Sequence, residues 1–178
     1  ALVAVTSGGA VFAAALGGWP GGVAIPFVAD VFSALVMTVA SGLTLVSCWF
    51  ALVSGTGRHP LFAPLVLVLI SGVNGALLTA DLFNLFVFIE VMLLPSYGLL
   101  VLARKGTGTL RSVVGSRLYV TFNLFVSTVF LAGVALVYGT AGTVNLAAPS
   151  AAAGPSDLTA PAVAVCLFAL AMKAAVVP

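Results

Sequence analysis

Charged side chains are scarce in this chain, since only six basic and four acidic residues occur among 178, or 6% of the total. A soluble domain carries about a quarter charged residues, so this composition excludes a soluble fold. The net charge of +2 is too small to indicate a nucleic-acid-binding protein. The hydrophobic fraction of 62% and the mean hydropathy of +1.31 instead indicate a membrane protein.

Several chemical signatures are missing as well. The two cysteines, Cys48 and Cys166, lie in apolar stretches with no His or Cys at a metal-ligand spacing, which favours buried free thiols over a disulfide. The sequence shows no glycine-rich phosphate loop, no paired carboxylates at catalytic spacing and no metal cluster. We therefore expect a protein that is not an enzyme and that uses no cofactor and no metal.

Long apolar runs fill the chain, and six of them approach the roughly 20 residues that a membrane-spanning helix needs. The sequence therefore predicts an all-α, polytopic membrane protein with about six spans, forming one domain over residues 1–178. Turn-forming residues separate the runs, and Asp81 is placed to cap the fourth helix. The predicted spans are Leu2–Leu16, Val28–Val53, Leu61–Ala80, Leu82–Ala103, Val113–Tyr138 and Leu158–Val177.

Basic residues occupy alternate connections between these spans. Arg58 follows the second span, and Arg104, Lys105 and Arg111 follow the fourth, whereas the other connections contain no Lys or Arg. Because positively charged loops stay on the cytoplasmic side, this pattern predicts that the Arg58 and Arg104–Arg111 loops face the cytoplasm of a bacterial cell.

Glu90 lies near the middle of an apolar helix. A charge at the centre of a bilayer costs about 3 kcal/mol on insertion scales, so such residues are rare and indicate a functional site. No Lys or Arg lies on the same helix within a few turns, and a partner must come from another helix, another subunit or water. The alternative is a protonated Glu90 that only makes a hydrogen bond between helices.

Lys173 is the second charge inside an apolar run. The residues that follow it, from Ala174 to Val177, remain apolar, which indicates an interrupted helix rather than one that ends at the membrane surface. The alternative is a lysine that snorkels to the cytoplasmic surface.

Each of the two charges precedes a proline by five residues, Glu90 before Pro95 and Lys173 before Pro178. A proline removes one helical hydrogen bond, and transporters place ion and water sites at such helix breaks. Chance spacing is the alternative. Tyr97 and Asn123 are further polar residues of a predicted water path, although most polar residues in the spans, Ser127 among them, are expected to make packing hydrogen bonds.

Glu90 and Lys173 together predict a proton relay. Desolvation and pairing change the proton affinity of a buried acid or base in opposite directions, so a pair that alternates between contact and separation can load and release a proton. A structural membrane scaffold, in which both groups are neutral and only pack, is the alternative class.

Motifs spread over nearly the whole chain resemble one known family. The most specific is NGALLTADLFNLFVFIEVML, from Asn74 to Leu93, and the others are GGWPGGVAIPFVADVFSALV, YGTAGTVNLA and AMKAAVVP, which begin at Gly17, Tyr138 and Ala171. All four resemble the D subunit of Mrp-type multisubunit Na+/H+ antiporters, a relative of the antiporter-like proton-pumping subunits of respiratory complex I.

The resemblance implies both an architecture and a function. Glu90 matches the family's essential mid-membrane glutamate, and Lys173 matches the lysine that exchanges charge with it. The family fold contains two inverted repeats, each with a broken helix, and this chain corresponds to the N-terminal part, ending in the first broken helix. The implied function is that of a proton-translocating subunit of a monovalent cation (Na+)/H+ antiporter, with other antiporter subunits, the lipid bilayer, H+ and Na+ as partners and no nucleic acid.

One segment keeps a second family open. EVMLLPSY, which contains Pro95, also resembles the middle antiporter-like subunit of complex I. The alternative is therefore a subunit of complex I or of a membrane hydrogenase, where electron transfer elsewhere in the assembly would drive the same relay.

Overall fold

The computed structural model describes residues 11–18, 24–102, 110–146 and 158–176, with the backbone alone at 110–113. Within these ranges the chain forms five α-helices, two short 3-10 turns at Leu16–Gly18 and Thr56–Arg58, and one short hairpin. The elements are β1 (Phe12–Ala15), β2 (Pro26–Ala29), α1 (Val31–Val53), α2 (Phe62–Leu78), α3 (Leu82–Leu102), α4 (Leu110–Ala141) and α5 (Thr159–Lys173).

Three helices in the described ranges are long and apolar enough to cross a membrane: α1, α3 and residues Val114–Ala141 of α4. Helices α2 and α5 are apolar but shorter, at 17 and 15 residues. The predicted helical, polytopic fold is therefore confirmed. The count of six spans is not reached in the described part of the chain.

The first predicted span, Leu2–Leu16, is wrong where the structure describes it. Phe12–Ala15 form strand β1, which pairs antiparallel with β2 in a register that sets Phe12 opposite Ala29. Gly17 adopts the left-handed conformation, with φ of 76°, and turns the chain. The other residues of that span, 2–10, lie outside the described ranges.

The second predicted span, Val28–Val53, begins too early because its first residues also belong to the hairpin. Pro26–Ala29 belong to β2, and α1 begins only at Val31. Asp30 caps α1, because its carboxylate accepts the Ser33 amide N–H at 2.7 Å while the Ser33 hydroxyl accepts the Asp30 N–H at 2.9 Å. Hydrogen bonding to the carboxylate, first from the Ser33 backbone amide and then from the Ser33 side chain, lowers the pKa of Asp30 below its ordinary value.

The predicted cap at Asp81 is confirmed. Its carboxylate accepts the Asn84 amide N–H at 2.7 Å at the start of α3. The same short junction is tied to two other segments, since the Ala80 amide donates to Pro26 in β2 at 3.0 Å and the Leu82 amide donates to Val144 at 2.8 Å. The hairpin and the segment after α4 therefore fix the end of the bundle at which α3 begins.

The buried core lies where α3, α4 and α5 meet. Phe130 and Val137 of α4 and Ala169 of α5 are fully buried. The ring of Phe130 also stacks on that of Phe86 in α3, with centroids 6.5 Å apart. Helix α4 thus forms the centre of the packing between its two neighbours. The buried members of this core are Leu82, Ile89, Leu93, Val126, Phe130, Val134, Val137, Ala162, Cys166 and Ala169.

Glycine allows two pairs of helices to approach closely, α2 with α3 and α4 with α5. A Cβ atom at Gly72 of α2 would lie 2.9 Å from the backbone nitrogen of Met92 in α3, and one at Gly133 of α4 would lie 2.7 Å from the Sγ atom of Cys166 in α5. Small residues of this kind let helices pack tightly within a membrane. The contact at Gly133 also determines how closely α5 lies against α4.

We expect Gly72→Ala to destabilise the protein by about 1–3 kcal/mol, the usual cost of overpacking, because the added methyl group meets the backbone of Met92. The thermal unfolding temperature of the purified protein in detergent measures this effect. Gly42→Ala is the matched control, since its Cβ atom would find no neighbour within 4 Å. Equal unfolding temperatures for the two variants would contradict close packing of α2 on α3.

Candidate functional site

Glu90 lies on α3 at the edge of the buried core. Its neighbours along the helix, Ile89 and Leu93, are buried members of that core, and Glu90 itself is half-buried. The carboxylate is therefore held among apolar side chains, where a polar partner is needed to satisfy it.

That partner is Ser127 of α4, a residue with only 4% of its surface exposed. The Ser127 hydroxyl donates a hydrogen bond to Oε1 of Glu90. The same hydroxyl oxygen accepts a hydrogen bond from Nζ of Lys173 at 2.8 Å. Three helices thus contribute one residue each to a continuous chain that runs from Lys173 through Ser127 to Glu90.

The structure brings together the two charges that the sequence singled out. Glu90 and Lys173 come together, but no ion pair joins them directly among the described residues, because the Ser127 hydroxyl lies between them. Ser127 was expected to make only a packing hydrogen bond. The pattern along α4 contains a signal for its importance, since Val126, Ser127, Phe130 and Val134 occupy the buried face at helical spacing.

Lys173 reaches this site because it lies on the buried face of α5. Ala162, Cys166 and Ala169 follow one another at intervals of four and three residues and are all buried, and Lys173 is the next position of that stripe. Its ammonium group contacts a buried hydroxyl, so it lies inside the bundle rather than snorkelling to the surface.

Lys173 is also the last helical residue of α5. Beyond it Ala175 adopts the left-handed conformation, with φ of 54°, and two hydrogen bonds close the helix end: Val176 N–H to Ala171 at 3.1 Å and Ala175 N–H to Met172 at 3.2 Å. A cation at the C-terminal end of a helix is favoured by the helix dipole. The sequence predicted a helix that is interrupted after Lys173, and in the structure α5 ends at this residue.

The predicted helix break at Pro95 is wrong. Helix α3 runs without interruption from Leu82 to Leu102, with Pro95 buried inside it. Close packing of α2 on α3, where Gly72 meets Met92 and Gly98 meets Leu65, outweighs the loss of one backbone hydrogen bond. Pro178, the other predicted break, lies outside the described residues.

Tyr97 and Asn123 do not join the hydrogen-bonded chain. The Asn123 side-chain amide donates to the carbonyl of Tyr119, one turn earlier on its own helix, at 2.9 Å. The Tyr97 ring packs edge-on against the ring of Tyr119, with centroids 5.8 Å apart. Over the ranges that the structure covers, no group of three or more His, Cys, Asp or Glu residues is arranged to hold a metal ion.

Known proteins are similar to this chain in both sequence and fold. Residues 79–178, more than half of the chain, match the NADH:quinone oxidoreductase/Mrp antiporter transmembrane family. The D subunit of a probable K+/H+ antiporter of Rhizobium meliloti is 46% identical over 134 residues, which cover 74% of this chain and 24% of that protein. The D subunit of the Na+/H+ antiporter of Alkalihalophilus pseudofirmus is 43% identical over 134 residues, 74% of this chain and 26% of that protein.

Two solved structures resemble the fold closely. A chain of the Mrp complex from Dietzia sp. matches with a TM-score of 0.87 and 49% identity, over 97% of this chain and 34% of that one. A chain of the membrane-bound sulfane sulfur reductase, an archaeal respiratory membrane complex, matches with a TM-score of 0.78 and 32% identity, over 96% and 35%. This chain thus spans a quarter to a third of the length of the proteins that it matches.

The helical bundle with its buried charges defines a class, the polytopic membrane proteins that carry ionisable groups inside the bilayer. Within that class, the matched region and the similar folds decide the assignment. The chain belongs to the NADH:quinone oxidoreductase/Mrp antiporter transmembrane family.

We expect Ala175→Gly to stabilise the protein by about 1 kcal/mol, because glycine adopts the left-handed conformation without the penalty that a Cβ atom brings. The thermal unfolding temperature would rise. Ala174→Gly is the control, since Ala174 has φ of −75° and gains nothing from glycine. An unfolding temperature that falls for Ala175→Gly as it does for Ala174→Gly would contradict the left-handed end of α5.

Proposed function

We propose that this chain is the proton-carrying part of a subunit of a monovalent cation/H+ antiporter, and that Glu90, Ser127 and Lys173 form its proton relay. The hydrogen-bonded chain through Ser127 is the observation that carries this proposal. Relatives named as K+/H+ and Na+/H+ antiporter subunits support the wider assignment. The other subunits of such an antiporter are the proposed partners.

The hydrogen-bond pattern supports transfer of one proton. Lys173 donates to Ser127, and Ser127 donates to Glu90, which is the arrangement of an ammonium group, a hydroxyl and a carboxylate. If an N–H bond of Lys173 breaks as a new O–H bond forms on Ser127, the original Ser127 proton passes to Oε1 of Glu90. One proton has then moved from lysine to glutamate, both groups are neutral, and the serine hydroxyl is restored.

This exchange links charge to the conformation of the bundle. The charged state is stabilised while the three residues remain in contact, and the neutral state is favoured when the residues separate in an apolar surrounding. Lys173 lies at the end of α5, so a shift of that helix end changes its distance to Ser127 without disturbing the core. Glu90 then releases its proton to one side of the membrane and Lys173 takes up a proton from the other side, which restores the charged pair and moves one proton per cycle.

The predicted orientation belongs to the same proposal. The connections that contain Arg58 and Arg104–Arg111 face the cytoplasm of the bacterial cell, and the end of the bundle with the hairpin and Asp81 faces the opposite side. Protons are exchanged between these two sides through the relay.

A second candidate function follows from the similarity to a chain of an archaeal respiratory membrane complex at 32% identity. In that case electron transfer in partner subunits drives the same relay. The higher identity of 49% to a chain of the Mrp complex favours the antiporter. Subunits with iron–sulfur clusters that copurify with the full-length protein would instead support the respiratory function.

We expect Glu90→Gln to abolish proton transport by the full-length protein in its assembled complex, because glutamine keeps the size of the side chain but cannot bind and release a proton. Quenching of a pH-sensitive dye in inverted membrane vesicles measures transport. Asp30→Asn is the matched control, since asparagine is an equally good helix cap and Asp30 lies outside the bundle interior. Normal transport by an assembled Glu90→Gln complex would overturn the proposed function.

The role of the Ser127 hydroxyl can be tested separately from that of Glu90. We expect Ser127→Ala to lower the transport rate at least tenfold, because the relay loses its connecting group, and Ser127→Thr to retain most of it, because threonine keeps the hydroxyl. Thr128→Val is the control, since the exposed Thr128 hydroxyl only donates to the carbonyl of Leu124 in its own helix. Wild-type transport by Ser127→Ala, at normal complex levels in the membrane, would remove Ser127 from the relay.

A further inference from the structure

A second polar group lies on the same face of α3 as Glu90 and outside the hydrogen-bonded chain through Ser127. Tyr97 follows Glu90 by seven residues, which is two helical turns, or roughly 10 Å along the axis. Its phenolic oxygen is buried and makes no hydrogen bond to any described group. A buried hydroxyl without a partner costs about 1–3 kcal/mol, so its retention in an apolar bundle requires an explanation.

A cavity opens beside this tyrosine. Its volume is about 620 Å³, and it lies between the C-terminal part of α3 and the N-terminal part of α4. Three of the described lining residues carry hydroxyl groups: Ser96, Ser116 and Tyr119. We call this space the α3–α4 cavity. It is large enough for several water molecules, and its hydroxyls can hold them.

Tyr97 lies next to a residue of the cavity wall and on the face of α3 that carries Glu90. On one side its ring meets the ring of Tyr119, a residue of the cavity wall, edge-on at 5.8 Å. On the other side, helical side chains lean toward the N-terminal end of their helix, which brings the Tyr97 phenol toward Glu90.

We propose that the Tyr97 phenol is a proton-relay residue that connects the α3–α4 cavity, through water, to the carboxylate of Glu90. This inference rests on the proposed function of Glu90. The cavity lies at the end of the bundle where α3 runs into the connection with Arg104 and Lys105, so it supplies the access route from that side.

The step is balanced without any further reactant. A hydrated proton in the cavity forms a new O–H bond to the phenolic oxygen as the original phenolic proton passes, through a bridging water molecule, to the carboxylate of Glu90. Tyr97 regains its starting state when the hydroxyl rotates back. The phenol stays neutral before and after transfer, which suits a buried position where a lasting charge is costly.

Tyr97→Phe tests this role because it removes the hydroxyl and keeps the ring that packs on Tyr119. In the assembled full-length complex we expect proton transport in inverted vesicles to fall at least tenfold. The unfolding temperature should stay the same or rise, since an unpaired buried hydroxyl is lost. A residue with only a packing role would not lower transport while preserving stability.

Tyr138→Phe is the matched control, since Tyr138 lies at the other end of α4 with 60% of its surface exposed, and we expect normal transport from it. Wild-type transport by Tyr97→Phe would overturn the inference. Glu90→Gln separates this failure from failure of the proposed function. If Glu90→Gln abolishes transport and Tyr97→Phe does not, the relay stands and the route through Tyr97 is wrong, whereas normal transport by Glu90→Gln removes both.

The presence of water in the α3–α4 cavity can be tested by the reactivity of a cysteine placed there. In a background with Cys48→Ser and Cys166→Ala, we expect Ser96→Cys to react with a membrane-impermeant thiol reagent in inverted vesicles, which expose the cytoplasmic side. Leu94→Cys, two residues away on the outer face of α3 and 65% exposed, should react at least tenfold more slowly, because no water-filled space is expected there. Protection of Ser96→Cys in the assembled complex would overturn the proposed access route.

Discussion

The structure depends on how two opposite charges are accommodated inside an apolar bundle. Insertion of either Glu90 or Lys173 alone near the bilayer centre costs about 3 kcal/mol. Ser127 reduces this cost because one hydroxyl both accepts from the ammonium group and donates to the carboxylate. The three residues come from three different helices, so the contact exists only when α3, α4 and α5 are packed in this arrangement.

Close helix packing makes that arrangement reproducible. Gly133 brings α5 against α4 at Cys166, two turns before Lys173, and Gly72 brings α2 against α3 at Met92, close to Glu90. The junction at Asp81 and the β1–β2 hairpin then fix the start of α3 from outside the core. Glu90 and Ser127 are thus held at the edge of a rigid core, whereas Lys173 lies at a helix end, the part of a helix that is most easily displaced.

Some of these features could be read from the amino-acid sequence. The apolar runs predicted helices α1 to α5 to within a few residues at most ends, and Asp81 was correctly predicted as a helix cap. The hairpin was missed because Phe12–Ala15 are as apolar as a helix and too few to show a strand period. The break predicted at Pro95 was wrong because proline disfavours a helix only locally, and packing of the neighbouring helices on α3 outweighs that preference.

Composition and the position of single charges determined that this is a membrane protein and that Glu90 and Lys173 are its most unusual residues. The tertiary structure alone decided that Ser127 connects them and that the Tyr97 ring contacts Tyr119 in the wall of the α3–α4 cavity. The physical reason is that a charge in an apolar run is costly wherever the helix packs, so its importance is visible along the chain. A serine or tyrosine costs little in a membrane helix, and its role depends on which residues of other helices it contacts.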